Sequence, residues 1–367
     1  MKATKSTSGS GSQPNRVVYL LGAGATYGEV RYRGAKTINT LMRDVDSLEG
    51  VATRILRKLD SPLFGIDGNL DIEKAISLLS SSDVRSYRDT AERMRRLYFE
   101  DIRRSLIATK ILRQPRLAMG LLEMHSNPSF SAQVERLSAI ATTNHDGLLQ
   151  VASEKVLKRL NIGLAFESED LTVDESRSAP PILQLHGSFT WRFAVPLRVF
   201  RLDALTGYSQ DTVWIPPTIQ KESKSYPFNK VHALTYEMLA EECDILRVVG
   251  CSLTQNDWNI LSLIFNAQRH CQRVKKPVFK IQLIQSQQGG TSIQNSCSYL
   301  RNTFAIGSLT DGNFANFKSF DTRPPPSGSD WENPFFFWLR EKINFHHRLG
   351  HFGTGNLTGT MKEISEK

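Results

Sequence analysis

The amino-acid sequence predicts an α/β fold: a Rossmann-like parallel sheet with helices on both faces and an inserted helical subdomain. Continuous apolar runs of strand length, such as residues 17–21, alternate along the chain with amphipathic helical segments. That alternation is typical of a parallel sheet that is covered by helices on both faces. A helical stretch over about 36–130 separates the first two predicted strands and predicts the inserted subdomain.

The predicted elements divide the chain into three parts. Residues 1–15 are polar and predict a disordered tail, and 16–310 form the predicted main domain. A C-terminal extension over 311–367 contains an aromatic docking helix at 331–347, and we expect the chain after Gly350 to fray. Strands are predicted at 16–22, 137–143, 182–185, 213–215, 244–250 and 277–284. Outside the insert, the main domain has predicted helices at 147–160, 231–242 and 257–268.

Two apolar stripes at helical spacing predict helices within the insert. The first consists of Ile72, Ala75, Ile76 and Leu79, and the second of Met94, Tyr98, Ile102 and Leu106. Basic residues surround and follow the second stripe, namely Arg93, Arg95, Arg96, Arg103, Arg104, Lys110, Arg113 and Arg116. A solvated helix face accounts for such a pattern. The alternative is a docking surface for an acidic partner or nucleic acid.

Composition limits the classes of protein to which this chain can belong. Its 367 residues, 40% hydrophobic and 23% charged, are ordinary for a globular protein with a sizeable core. The four cysteines form no C-x-x-C pair, which argues against a thiolate zinc site and a disulfide framework. Apolar runs are too short to span a bilayer, and we expect a cytoplasmic protein without a membrane segment. The net charge of +9 leaves nucleic acid open as a partner, although no recognition motif accompanies it.

A glycine-rich turn follows the first predicted strand. Gly22, Gly24 and the small residues around them would let a pyrophosphate approach the backbone at a helix N-terminus. The turn is neither the Gly-x-Gly-x-x-Gly of ordinary dehydrogenases nor a Walker P-loop. An ordinary turn between a strand and a helix is the alternative explanation.

Polar residues follow three further predicted strands. Asn144 and Asp146 come after the second strand, where capping of the next helix is the alternative role. His186 ends the third strand beside Gly187; it is either a core histidine or a group that takes up a proton near neutral pH. After the strand at 244–250, Gly250 begins a turn in which the side chains of Ser252 and Asn256 suit ribose hydroxyls or phosphate; turn formation and capping are their alternative role. The carboxyl ends of parallel strands meet at one edge, so we expect a single cleft.

In these segments the chain resembles the Sir2-like NAD-consuming superfamily over roughly residues 16–284. The resemblance is carried, in order, by Gly22-Ala23-Gly24-Ala25-Thr26, Thr143-Asn144-His145-Asp146, Leu185-His186-Gly187 and Gly250-Cys251-Ser252-Leu253. Protein deacylases of that superfamily have a four-cysteine zinc ribbon after the catalytic histidine, but no cysteine lies between His186 and Cys243 here. The arrangement is similar to the Sir2-like effectors of bacterial anti-phage defence, which lack the ribbon and degrade NAD.

The resemblance implies a role for each matching residue. Asn144 would position the nicotinamide ribose and the attacking water, Asp146 would bond near the nicotinamide, and His186 would be the general base. His145 stands where the family often has an aromatic residue, and we assign it no catalytic role. The remaining expected contacts to NAD are Gly22, Ala23, Gly24, Thr26, Gly250, Ser252 and Asn256.

The expected function is that of an NAD glycohydrolase, which cleaves NAD to nicotinamide and ADP-ribose and depletes NAD during anti-phage defence. NAD would be the substrate, and no metal is expected. Uncontrolled hydrolysis would kill the host, so we expect gating by homo-oligomerisation or by a separate partner such as a HerA-type ATPase. The alternative is a non-hydrolytic module that senses NAD or an ADP-ribose-derived nucleotide. A protein deacylase is disfavoured by the missing zinc cysteines.

Overall fold

The computed structural model of this chain describes residues 13–32, 72–216, 218, 221, 223–251, 253, 257–284, 317–319, 334–352, 357 and 359–367. Most of the predicted tail and the first part of the predicted insert, over 36–71, lie outside the described residues. Ser252 and Asn256, which were expected to contact NAD, also lie outside them.

The main sheet has six strands, and each pair of neighbours in it runs parallel. Numbered in chain order, its strands are β1 (Asn15–Leu21), β2 (Glu135–Thr142), β4 (Ile182–Gln184), β8 (Ile245–Val249), β9 (Lys280–Ile284) and β10 (Phe317–Ser319). The central strand β1 is buried from Val17 onward, which explains its continuous apolar run. The predicted parallel α/β sheet is confirmed.

The spatial order of the strands is β10-β9-β8-β1-β2-β4. The chain therefore leaves β1 toward β2 and β4 on one side, and later occupies the other side with β8, β9 and β10. Between β1 and β8 the direction of winding reverses. Open α/β sheets bind ligands outside the strand ends at such a switch point.

Helices cover both faces of the sheet. In chain order they are α1 (Ala23–Tyr32), α2 (Ile72–Ser80), α3 (Arg85–Ala108), α4 (Arg116–Ser126), α5 (Pro128–Gln133), α6 (Leu148–Leu157), α7 (Phe228–Glu241), α8 (Trp258–Arg273), α9 (Pro334–Arg348) and α10 (Gly359–Glu366). Helix α4 packs against α6, α9 and α10, whereas α7 packs against α8. Right-handed crossovers put these two groups on opposite faces, because the β1–β2 and β8–β9 connections move across the sheet in opposite directions.

A second sheet of four strands has one strand before β4 and three after it, and sequence analysis did not predict it. Its strands are β3 (Phe166–Glu167), β5 (Gly187–Arg192), β6 (Leu197–Val199) and β7 (Thr212–Trp214), in the order β3-β6-β5-β7. The predicted strand at 213–215 is real, but it belongs to this sheet, where β7 runs antiparallel to β5. Strands of two to six residues carry little periodicity, so most of this sheet gave no recognisable pattern.

The described part of the predicted insert separates into two kinds of helix. Helices α4 and α5 pack on the main sheet, where both contact β2. Helices α2 and α3 pack on each other, and both predicted apolar stripes are present on them. A second hydrophobic cluster attaches α3 to the second sheet through Phe99, Phe189 and Trp214, with Val30 of α1 and Leu148 of α6. The helix pair therefore lies beside the elements that follow β1 and β2.

The C-terminal segment corrects one expectation. The chain after Gly350 was expected to fray, yet α10 buries Met361 and Ile364 against the main core. Gly120 of α4 leaves room for this packing, because a Cβ there would lie 2.3 Å from the Ile364 side chain. The predicted docking helix is present as α9. Within the described ranges, no helix is both long and apolar enough to cross a membrane.

Candidate functional site

The ends of four parallel strands bring the predicted segments to one edge of the main sheet. Leu21 of β1 is in register with Thr142 of β2 on one side and Val249 of β8 on the other. Thr142 is in register with Gln184, the last residue of β4. The residues that follow these four positions are therefore neighbours, as expected for a single cleft.

The glycine turn at the end of β1 lies against the turn at the end of β8. The Gly24 amide donates to the Gly250 carbonyl at 2.9 Å, and the Gly22 amide donates to the Val249 carbonyl at 2.9 Å. A Cβ on Gly24 would lie 2.7 Å from the Gly250 Cα, so glycine is required for this close approach. These two amides are thus engaged within the protein. Ala23, the first residue of α1, is exposed beside them.

Asn144, Thr26 and Asp146 form one chain of hydrogen bonds. The Asn144 side-chain amide donates to the Gly22 carbonyl at 2.8 Å and to Thr26 Oγ1 at 2.9 Å. The Thr26 hydroxyl in turn donates to Asp146 Oδ2. The Asn144 side-chain oxygen accepts no hydrogen bond within the described part of the chain. It is therefore an acceptor that a hydroxyl of a ligand can use.

Asp146 is buried and also supports the next helix. Its Oδ1 accepts a hydrogen bond from the Leu148 amide at 3.0 Å, at the start of α6. The N-cap residue of α6 is Gly147, so Asp146 satisfies the first amide of the helix from one position before the N-cap. Burial raises the pKa of the Asp146 carboxyl, while the bonds from Thr26 and the Leu148 amide oppose that rise.

His186 lies where the chain passes from the main sheet into the second sheet. It follows β4 and precedes β5, and its carbonyl accepts a hydrogen bond from the Ile215 amide at 2.7 Å. Gly187 has a φ of +70°, and a Cβ there would lie 2.4 Å from the Val213 carbonyl oxygen. Glycine beside the histidine is therefore needed for the backbone turn that holds the imidazole in place.

The His186 imidazole is buried and neutral. Its pKa lies well below 6.5, because burial disfavours the charged ring and the positive charge of Lys221 disfavours it further. A hydrogen bond with the Thr143 backbone has the opposite effect on the pKa, so a ring N–H donates there. Nε2 is buried and has no hydrogen-bond partner among the described residues. With the ring proton assigned to Nδ1, Nε2 carries the free lone pair of a base.

Lys221 is a site residue that sequence analysis missed. Its side chain is 7% exposed, and Nζ lies 2.5 Å from Asp257 Oδ1 and 3.5 Å from Glu73 Oε1. Asp257 precedes α8, while Glu73 belongs to α2 of the insert. The lysine lowers the pKa of both His186 and His145. No sequence signal identified it, since the segment after β7 has no recognisable periodicity.

His145 and Tyr98 were also missed as neighbours of the site. The His145 ring lies 6.1 Å from the His186 ring between centroids, and it contacts Trp214 edge-on at 5.2 Å. Tyr98 of α3 stacks on Trp214 at 6.0 Å. Tyr98 was predicted only as part of the apolar stripe of its helix, since its spacing matches that of core residues.

One further group near this edge, the Cys251 thiol, has little capacity as a nucleophile. Burial raises the pKa of the Cys251 thiol to about 12, so the thiol is protonated near neutral pH. The described residues contain no cluster of three or more His, Cys, Asp or Glu side chains that could hold a metal ion.

The basic residues of α3 have two kinds of environment. Arg95 donates to Ser80 and pairs with Glu92, while Arg103 donates to the Leu205 carbonyl. Arg93, Arg96 and Arg104 are exposed. Contact of this helix with nucleic acid stays a prediction.

The sequence was also compared with known proteins. It matches no model of a known protein family, and no curated protein is significantly similar to it. The Sir2-like resemblance thus stays a prediction that rests on the four segments and their order.

Proposed function

We propose that this protein is an NAD glycohydrolase that releases nicotinamide and ADP-ribose. The observation that carries the proposal is His186, whose neutral imidazole presents an unpartnered Nε2 at the strand edge that also bears Asn144. A buried lone pair beside a free amide oxygen suits the orientation and deprotonation of a water or a ribose hydroxyl. The Sir2-like order of the four segments supports NAD as the substrate.

In the proposed reaction, the bond between nicotinamide and C1′ of its ribose breaks, and the electron pair leaves with neutral nicotinamide. Positive charge develops on the ribose, and a water oxygen bonds to C1′. The water proton moves to His186 Nε2 and then to solvent. The Asn144 oxygen would accept a hydrogen bond from the ribose or from the water, while Thr26 and Asp146 keep the Asn144 amide in place.

The proposal includes control of the reaction. Anti-phage defence by NAD depletion in the cytoplasm requires that the enzyme rest until triggered, either by homo-oligomerisation or by a partner such as a HerA-type ATPase. The close contact between the Gly24 and Gly250 turns is consistent with a resting state, because both turns are expected to contact NAD.

The test is incubation of the purified protein with NAD, with and without the product of a neighbouring gene, followed by chromatography for nicotinamide and ADP-ribose. We expect His186→Ala and Asn144→Ala to lower the rate by about 10²–10⁴-fold, the usual contribution of general base catalysis. His346→Gln is the matched control, since His346 is also buried but belongs to α9 and packs on Phe130. Unchanged turnover in His186→Ala would refute the assignment. Tight NAD binding without nicotinamide release would favour the sensing module.

A further inference from the structure

Two buried imidazole nitrogens near the strand edge lack a hydrogen-bond partner among the described residues. They are His186 Nε2 and His145 Nδ1. Burial lowers the pKa of His145 to about 4, so its ring is neutral near pH 7, and the Gly187 backbone opposes the shift. With the ring proton assigned to Nε2, Nδ1 is an acceptor without a donor in the described part of the chain.

The surroundings of His145 suit a flat ligand. The ring is flanked by His186 at 6.1 Å, Phe189 at 5.2 Å and Trp214 at 5.2 Å between centroids. Tyr98 of the insert extends this aromatic wall, and its hydroxyl makes no hydrogen bond within the described ranges. A planar ring with a hydrogen-bonding substituent matches such a wall better than a flexible aliphatic group does.

The two neutral imidazoles disfavour a carboxylate ligand. Lys221, whose positive charge lowers the pKa of both histidines, is itself paired with Asp257 and Glu73. Lone pairs of the two imidazoles would repel a carboxylate, whereas an amide N–H can donate to them.

We propose that His145 determines the specificity of this site for a neutral carboxamide, by accepting a hydrogen bond from the amide N–H of the nicotinamide leaving group. The inference rests on the proposed function. It predicts that the site discriminates NAD from nicotinic acid adenine dinucleotide, in which a carboxylate replaces the amide and offers no donor. A site built to bond one polar group rejects the analogue that lacks it.

The test compares wild type, His145→Phe and His145→Gln with both dinucleotides. We expect the ratio of kcat/KM for NAD over the acid analogue to fall at least about tenfold in His145→Phe, chiefly through KM for NAD. His145→Gln retains an acceptor and should recover part of the ratio. Because the substitution removes an unpartnered buried nitrogen, the Tm of His145→Phe should equal or exceed that of wild type. If His145 had only a structural role, its replacement would lower the Tm. An unchanged ratio in His145→Phe would overturn the inference.

Binding measurements separate this inference from the proposed function. Calorimetry on His186→Ala, with and without His145→Phe, gives the two Kd values without turnover. If wild type never releases nicotinamide but the Kd ratio still depends on His145, the proposed function fails and the specificity role stands. If wild type hydrolyses NAD but neither the kcat/KM ratio nor the Kd ratio changes when His145 is replaced, the specificity role fails while the proposed function stands.

Discussion

Two clusters of buried polar side chains lie in this fold, and they differ in how completely they are paired. The Arg247 cluster, comprising Tyr19, His125, Glu135, Arg247 and Lys342, lies between β1, β2, β8 and α9. Arg247 donates to both Glu135 oxygens at 2.6 and 2.7 Å and to the Tyr19 hydroxyl at 3.0 Å. Lys342 donates to Glu135 at 2.6 Å. Its charged groups are therefore all paired, and its one buried atom without a partner among the described residues is Nδ1 of the neutral His125 ring.

The second cluster, at the strand edge, comprises Thr26, Asn144, His145, Asp146 and His186. Thr26, Asn144 and Asp146 are joined by hydrogen bonds. The imidazoles of His145 and His186 each have a buried nitrogen without a partner among the described residues. An orphaned buried polar atom costs about 1–3 kcal/mol. Pairing in the Arg247 cluster fixes α9 to the sheet. At the strand edge, a ligand can supply the hydrogen bonds that the two imidazole nitrogens lack.

The largest effect is expected from Arg247→Met. Removal of one partner leaves Glu135 buried beside Lys342 alone, so we expect the free energy of unfolding to fall by about 3–5 kcal/mol. Denaturant titration measures this. The double variant Arg247→Met with Glu135→Gln should lose less than the sum of the singles, because the uncompensated carboxylate is gone. Additive losses would show that the two charges do not depend on each other.

The next effect, smaller when expressed per pH unit, is the dependence of stability on pH. Unfolded histidines take up a proton near 6.5, whereas His145 does so at about 4 and His186 also well below 6.5. The unfolded state therefore binds more protons as pH falls from about 6.5 to 4, and stability declines by about 1.4 kcal/mol per pH unit for each such histidine. Unfolding of His186→Gln across this window should show a shallower decline than wild type. Carboxylates titrate equally in both proteins, so equal slopes would contradict the burial of a neutral His186.

The smallest effect is expected from Glu73→Gln, which weakens the attachment of α2 to Lys221. The two groups lie 3.5 Å apart and Lys221 keeps its shorter contact with Asp257, so we expect at most about 1 kcal/mol of lost stability. Glu92→Gln is the matched control, since it weakens the Arg95 pair at 3.3 Å on α3. If the insert is coupled to the site, only Glu73→Gln should shift the acidic limb of the pH–rate profile. The same shift in both variants would show that the insert is not coupled to the site through Glu73.

The strands of the main sheet could be predicted because each is a buried apolar run followed by small or polar residues. The second sheet could not, since strands such as Phe166–Glu167 are too short to show a period. Helix α10 was missed because few apolar residues, Met361 and Ile364 among them, mark its buried face. Its packing depends on Gly120, more than two hundred residues away, which no local pattern reveals.

Much of the edge cluster was also predictable, because Asn144, Asp146 and His186 follow buried strands. What could not be predicted were the contributions from elements distant in sequence. Lys221 is positioned by its ion pairs with Asp257 and Glu73, and Tyr98 is positioned by stacking on Trp214. For His145 the reason is different. It was assigned no catalytic role because the family often has an aromatic residue at its position, and its unpartnered nitrogen is apparent only from the structure.

The contact between Gly24 and Gly250 ties together two positions that are 226 residues apart in the chain. A Cβ on Gly24 would lie 2.7 Å from Gly250, and a Cβ on Gly250 would lie 2.5 Å from the Ala25 nitrogen. Enlargement at either position consumes the same space, so a side chain at one is tolerable only after the two turns have separated. Gly250 also has a φ of +58°, so a side chain there is strained even after the turns have separated, whereas Gly24 is restricted to glycine by the contact alone.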